Sequence, residues 1–206
     1  MLQYKTIDPG TLQLLKELQS LPLLQETRLV GGTALALQLG HRNSVDLDFF
    51  GKVPFSPEEI REAMSENHSL TIVKESKNIN IFLIDGIKVD VVDYKYSWID
   101  HPVLGDGVTL AGIKDIAAMK IAAIVGRGTK KDFIDMHFLL KRFSLQEILD
   151  LYMQKYPDGS IFIAMKSLSY FKDAEPDPMP LMLEEVSWET VKQSIRDAVS
   201  GLSQPV

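Results

Sequence analysis

The chain has 206 residues, 45% of them hydrophobic and 24% charged, enough for one substantial domain or a domain with a helical extension. A formal net charge of −6 argues against a surface coated in basic residues, so any affinity for a polynucleotide would have to be focused in a groove. The absence of cysteine excludes disulfides and thiolate zinc sites; MLQYKTIDPG has no basic-then-apolar leader pattern and no apolar run approaches membrane-spanning length, so a cytoplasmic protein without a membrane partner is expected.

Asp8-Pro9 is a cap followed by a first-turn proline, and Leu12, Leu15 and Leu18 give a helical stripe that ends before Pro22. Leu29-Val30 then reads as a short strand, Gly31-Gly32 as a sharp turn, Thr33 to Leu39 as a helix and Val45 to Phe50 as a second strand. Side chains on a strand alternate faces, so Asp46 and Asp48 point one way while Leu47 and Phe49 enter the core. Two carboxylates held side by side repel unless a cation lies between them, which suggests a divalent-metal site. Gly31 and Gly32 lack Cβ atoms and allow close approach of a ligand, and the following helix would aim free N–H groups at an anion such as phosphate. Arg42 and Ser44 share the parity of Asp46 and Asp48; Arg42 is either a phosphate contact or simply a charged loop residue.

Ser56-Pro57-Glu58-Glu59 is a capping box opening a helix to about Ser65. Three strands follow, Leu70 to Lys74, Asn80 to Ile84 and Ile87 to Tyr94, the last two joined by the hairpin signal Asp85-Gly86. An acid in the middle of an apolar β-branched run is costly without a partner, so Asp90 is the natural third carboxylate beside Asp46 and Asp48. Asp93 competes, but it lies at the strand's end, where an acid is cheap. Tyr96 to Asp106 reads as loop, and the chain turns helical from Leu110.

Ile113, Ala117, Lys120 and Ile124 form a stripe on a helix ending near Val125; Lys120 either snorkels to the surface or faces inward toward phosphate. Gly126-Arg127-Gly128-Thr129 breaks that helix and Lys130 opens another. Asp132 and Asp135 in or near its first turn complement the helix dipole, which explains them without any chemistry. His137 reads as a core residue, and His41, His68 and His101 lack metal-ligand spacing, so zinc is not expected. Helices are also expected from Ser144 to Tyr156, over 161–170, and from Ser187 to Gly201, with an exposed loop over Lys172 to Pro180.

The diglycine followed by Asp46-Leu47-Asp48 resembles the signature of the nucleotidyltransferase superfamily, and the wording GGTALALQLGHRNSVDLDFF resembles its AbiEii/AbiGii-type branch, whose members include toxins of toxin–antitoxin and phage-defence systems. The resemblance implies an α+β, polymerase-beta-like fold: a mixed sheet with flanking helices as catalytic core over residues 1–109, and a helical C-terminal region over 110–206 packed on it. It implies transfer of a nucleoside monophosphate from a nucleoside triphosphate, with Asp46, Asp48 and Asp90 holding two magnesium ions, or manganese. Gly31, Gly32, Thr33, Arg42, Ser44 and Lys120 would bind the nucleotide. Family members carry a lysine on the helix after the sheet, matched by Lys120, and a Lys-Asp-x-x-Asp motif, matched by Lys131, Asp132 and Asp135. Lys120 and Asp132 would therefore join the three acids as catalytic residues, with Asp135 a further candidate. The implied acceptor is RNA, the 3′ end of a tRNA above all, or a protein, and a cognate antitoxin would be a separate polypeptide. Two other readings stay open: a nucleotide-binding module without transfer activity, and an interaction subunit whose sheet only supports the helices.

Overall fold

Leu47 and Phe49 on one strand and Val89 and Val91 on its neighbour are fully buried, and their alternation with polar residues builds the middle of a seven-stranded sheet. The computed structural model describes residues 1–202. Its strands are β1 (Thr27–Leu29), β2 (Leu47–Gly51), β3 (Leu70–Lys74), β4 (Ile79–Ile84), β5 (Ile87–Asp93), β6 (Val103–Gly105) and β7 (Val108–Leu110), in the order β3-β4-β5-β2-β1-β7-β6. β2 runs parallel to β5, and β1 parallel to β7; the other neighbours are antiparallel, so the sheet is mixed. Eight α-helices flank it: α1 (Pro9–Ser20), α2 (Gly31–Leu39), α3 (Pro57–Ser65), α4 (Ile113–Gly126), α5 (Lys130–Leu140), α6 (Leu145–Lys155), α7 (Ile161–Leu168) and α8 (Trp188–Leu202).

The α+β architecture expected from the sequence is the one observed. Local signals set many of its boundaries. Asp8 caps α1 by accepting from the Thr11 amide, and Ser56 and Ser144 form reciprocal capping boxes with Glu59 and Glu147. Asp85 (φ 50°) and Gly86 (φ 83°) make the left-handed two-residue turn that joins β4 to β5. Several boundaries differ from expectation, β1 (Thr27–Leu29), β2 (Leu47–Gly51) and the start of α4 at Ile113 among them. α2 begins at Gly31 rather than Thr33, because Gly31 takes φ +69° and the chain enters the helix directly from Val30. Residues 96–106 are not all loop: β6 and β7 form a hairpin about Asp106 and Gly107, and β7, which contains residue 109, pairs with β1 through Leu29 and Leu110. Strands of three residues are too short to show alternation. α8 continues past Gly201 to Leu202.

The C-terminal helices close on the sheet through α2, which contacts β2, α4 and α5; α4 packs against α6 and α7, and α5 against α8. A single apolar core runs through both halves, from Leu15 and Leu29 to Ile148 and Ile195. Beyond α7 the chain turns back: Asn43 donates to the Leu181 carbonyl at 2.8 Å and Leu183 to the His41 carbonyl at 2.8 Å, a short antiparallel contact centred on Arg42 and Met182. No helix among the described residues is long and apolar enough to cross a membrane.

Candidate active site

Parallel pairing of β2 and β5 puts Asp48 directly opposite Asp90. Partners in register share a face, and Leu47, Phe49, Val89 and Val91 fill the other, so both carboxylates emerge on the open side of the sheet. Burial, then the neighbouring charges of Asp90 and Asp46, push the Asp48 carboxyl up to about 6. Gly31 makes the room: a Cβ there would lie 2.1 Å from Asp48 Oδ2. Asp46, just before β2, accepts from Lys131 Nζ at 3.1 Å, and Asp90 accepts from Lys88 Nζ at 2.5 Å. Asp93, the competitor for third acid, accepts instead from the Val53 amide at 3.1 Å. Two crowded carboxylates, one of them hard to ionise, fit a divalent cation by charge and by donor type. Among the described residues, no three acidic or histidine side chains yet converge as a complete metal-ligand set, since Asp46 is turned toward Lys131.

Gly31, Asp48, Phe50 and Asp90 line one side of a cavity of about 310 Å³; Lys120, Arg127 and Tyr156 line the other. A larger concavity of about 830 Å³ opens on the far side of Asp46 and Lys88, but its rim carries Asp8, Glu17 and Asp85. The smaller cavity sets Lys120 and Arg127 across from the paired Asp48 and Asp90 and is the candidate site.

Behind the cavity wall lies a chain of buried ion pairs. Asp135, wholly buried, accepts from Arg42 Nε at 2.7 Å and Nη2 at 2.9 Å, from His41 Nε2 at 2.9 Å and from Lys120 Nζ at 2.8 Å. Lys120 Nζ also reaches Asp132 Oδ1 at 3.0 Å. Asp132 in turn accepts from Arg127 Nε at 2.9 Å, Arg127 Nη2 at 3.1 Å and the Thr129 hydroxyl at 2.6 Å. Burial alone would raise both carboxyls; Arg42 and Lys120 hold Asp135 well below the ordinary range, and Lys120, Arg127 and Thr129 do the same for Asp132. Burial would likewise lower Lys120, and Asp135 and Asp132 raise it instead, so it is a fixed ammonium.

With this geometry in place, the comparisons are specific. The family model "Nucleotidyl transferase AbiEii toxin, Type IV TA system" matches residues 13–201. The chain belongs to this family. An uncharacterised protein of Aquifex aeolicus (strain VF5) is 36% identical over 193 residues, covering 90% of this chain and 92% of that one. Two solved structures share the fold. MenT4, a nucleotidyltransferase toxin of Mycobacterium tuberculosis H37Rv, is 17% identical with a TM-score of 0.65, over 94% of this chain and 81% of that one. JHP933 of Helicobacter pylori is 20% identical with a TM-score of 0.60, over 95% and 93%.

Within this AbiEii-family chain, the residues nominated from sequence divide into two groups. Gly31, Asp48, Asp90 and Lys120 meet at the cavity; Asp46 does not line it but opens on the neighbouring concavity and is paired with Lys131. Arg42, Thr33 and Ser44 do not reach it. Arg42 is buried and gripped by Asp135, with its Nη2 against Gly32, where a Cβ would be 2.4 Å away; Gly32 thus makes space for Arg42 rather than for a ligand. The buried Thr33 hydroxyl lies 2.5 Å from the Asp46 carbonyl and 2.9 Å from Ser44 Oγ, so the pair steadies the approach to β2. Asp132 and Asp135 stand behind Lys120 and Arg127, away from the open face. Arg127, Phe50 and Tyr156 line the cavity and were not singled out from sequence. Arg127 stands in the sequence as part of a helix break, and the aromatics carry no local signal; the Tyr156 hydroxyl lies 2.8 Å from that of Tyr94.

Proposed function

We propose that this protein transfers a nucleotidyl group from a nucleoside triphosphate to the hydroxyl of an acceptor. The acceptor oxygen forms a bond to the α-phosphorus, the bond to the bridging oxygen breaks, pyrophosphate leaves, and the hydroxyl proton passes to Asp90 or to water. Asp48 and Asp90 would hold magnesium, or manganese, and Asp46 would be their third ligand once free of Lys131; two ions are expected. When bound, the metal neutralises charge on the triphosphate and lowers the pKa of the attacking hydroxyl. The residues do the positioning. Gly31 leaves the backbone open to the distal phosphates, and Lys120, fixed between Asp132 and Asp135, supplies positive charge at the cavity wall.

The observation that carries this reading is the Asp48–Asp90 register opposite Gly31. Family membership supports the reaction class and a toxin role. The acceptor favoured by the family resemblance is RNA, with a tRNA 3′ end as first choice, and a separate antitoxin protein is the expected partner. Purified protein, incubated in turn with each α-labelled triphosphate, magnesium and total RNA, should label an RNA band. Asp48→Ala and Asp90→Ala should each abolish it while still unfolding in one cooperative thermal transition. If no triphosphate labels RNA or protein and none releases pyrophosphate, the transferase reading is wrong.

A further inference from the structure

The cavity holds an anion-binding feature that none of the sequence motifs nominated. Of the cations the sequence offered for phosphate, Arg42 is sealed behind Asp135, and Lys120 Nζ is shared by two carboxylates. Lys88 and Lys131 are each paired to an acid of the site. Arg127 differs. Its side chain is 61% exposed, it lines the cavity opposite Asp48 and Asp90, and only Nε and Nη2 are committed, both to Asp132. Nη1 makes no protein hydrogen bond among the described residues. A guanidinium has five donors in a rigid plane, so a carboxylate on one edge leaves the other edge pre-aimed.

We infer that Arg127 is a direct contact for the distal phosphates of the triphosphate, and that Asp132 is a positioning residue that aims it. The inference deepens the proposed transferase reading and rests on it. The backbone explains why aiming is needed. Arg127 follows α4 at a non-helical φ of −136°, and Gly128 (φ +52°) turns the chain at once into α5, so the long side chain leaves a corner with no neighbouring turn to hold it. Asp132, three residues beyond Thr129, meets it there with both oxygens. Lys120 and the Thr129 hydroxyl fix Asp132 from behind. The carboxylate is buried, so its influence on substrate passes through the two cations it holds, Arg127 and Lys120, both of which line the cavity.

Inorganic tripolyphosphate with magnesium isolates this contact from the identity of the base. In a calorimetric titration, wild-type protein should bind it, and Arg127→Ala should weaken binding by about ten- to a hundredfold, the effect of losing charge-assisted hydrogen bonds. Arg127→Lys should recover part of the loss, since charge returns without the planar fork. Asp132→Asn should weaken binding although Arg127 is intact, and the double variant should lose less than the two single losses together. In turnover, Arg127→Ala should raise the KM for triphosphate more than it lowers kcat. Should Asp132→Asn fail to fold, the two Arg127 variants decide, because that side chain is largely exposed. Wild-type affinity in Arg127→Ala, with transfer intact in the wild type, would overturn the inference and leave the transferase reading standing. A wild type that neither binds tripolyphosphate nor releases pyrophosphate overturns both.

Discussion

Replacing Asp135 by Asn would remove the anion on which three buried side chains depend. Asp135 is fully buried, and Arg42 and Lys120 keep 3% and 4% of their surface exposed. An Asn could still accept from Arg42 Nε or His41 through its one carbonyl oxygen, but its NH2 would face the N–H groups of Arg42 Nη2 and Lys120, donor against donor. Breaking a buried pair by removing one partner costs about 3–5 kcal/mol. At roughly 2–4 °C per kcal/mol for a chain of this size, the melting temperature should fall by about 6–20 °C. Urea titration followed by circular dichroism measures the free energy, and a thermal scan the temperature. Because Asp135 ionises well below the ordinary carboxylate value, its contribution is complete above about pH 4 and is lost only as pH falls through its depressed value. The gap between variant and wild type should therefore be flat from about pH 5 to 8 and close only in strong acid. A loss below about 1 kcal/mol at neutral pH would refute the view that this carboxylate organises the network.

Three further outcomes follow from other parts of the site. Gly31→Ala forces a Cβ onto Asp48 Oδ2 at a left-handed φ, so labelled-triphosphate transfer should drop by about a hundredfold or more, while urea titration shows a loss of only about 1–3 kcal/mol. Metal-free Asp48→Asn should be more stable than metal-free wild type at pH 7: the raised Asp48 carboxyl favours the folded state below its ordinary value and loses that benefit as pH climbs through about 6. Thermal scans across pH should show the two proteins converging toward pH ~4, and a constant difference would contradict the crowding of Asp48 by Asp90 and Asp46. Lys130→Ala removes the ammonium that binds the Glu175 and Asp177 carbonyls and lies 5.3 Å from the Trp188 ring centroid, so limited proteolysis should cut within 172–180 faster than in wild type.

The acids that face the cavity were legible because a strand's period of two is short-range information. Asp46, Asp48 and Asp90 declare themselves by parity and by sitting in apolar company; the register sets Asp48 opposite Asp90, while Asp46 lies before β2 and outside the cavity. Most of the helices were legible for the same reason, through caps and stripes confined to a few residues. What escaped was whatever depends on distant pairing. Arg42 meets a partner 93 positions away, so no window of sequence could tell a phosphate contact from an ion-pair donor. Lys120 faces inward as one of its two readings allowed, but toward Asp132 and Asp135. Those two acids, explained adequately by the helix dipole, owe their burial to cations arriving from α4 and from the loop after α2. Arg127 was hidden for another reason: it lies between two glycines, in a helix break whose local pattern says nothing of where a side chain points.

The strap formed where residues 181–184 meet residues 41–43 bears on biosynthesis. Asp48 and Asp90 precede the strap in the chain, so β2 and β5 can pair in a nascent polypeptide while the loop bearing Arg42 still lacks its cover. A product cut short before residue 181 would lack that cover, and Arg42 would sit in a loop open to water.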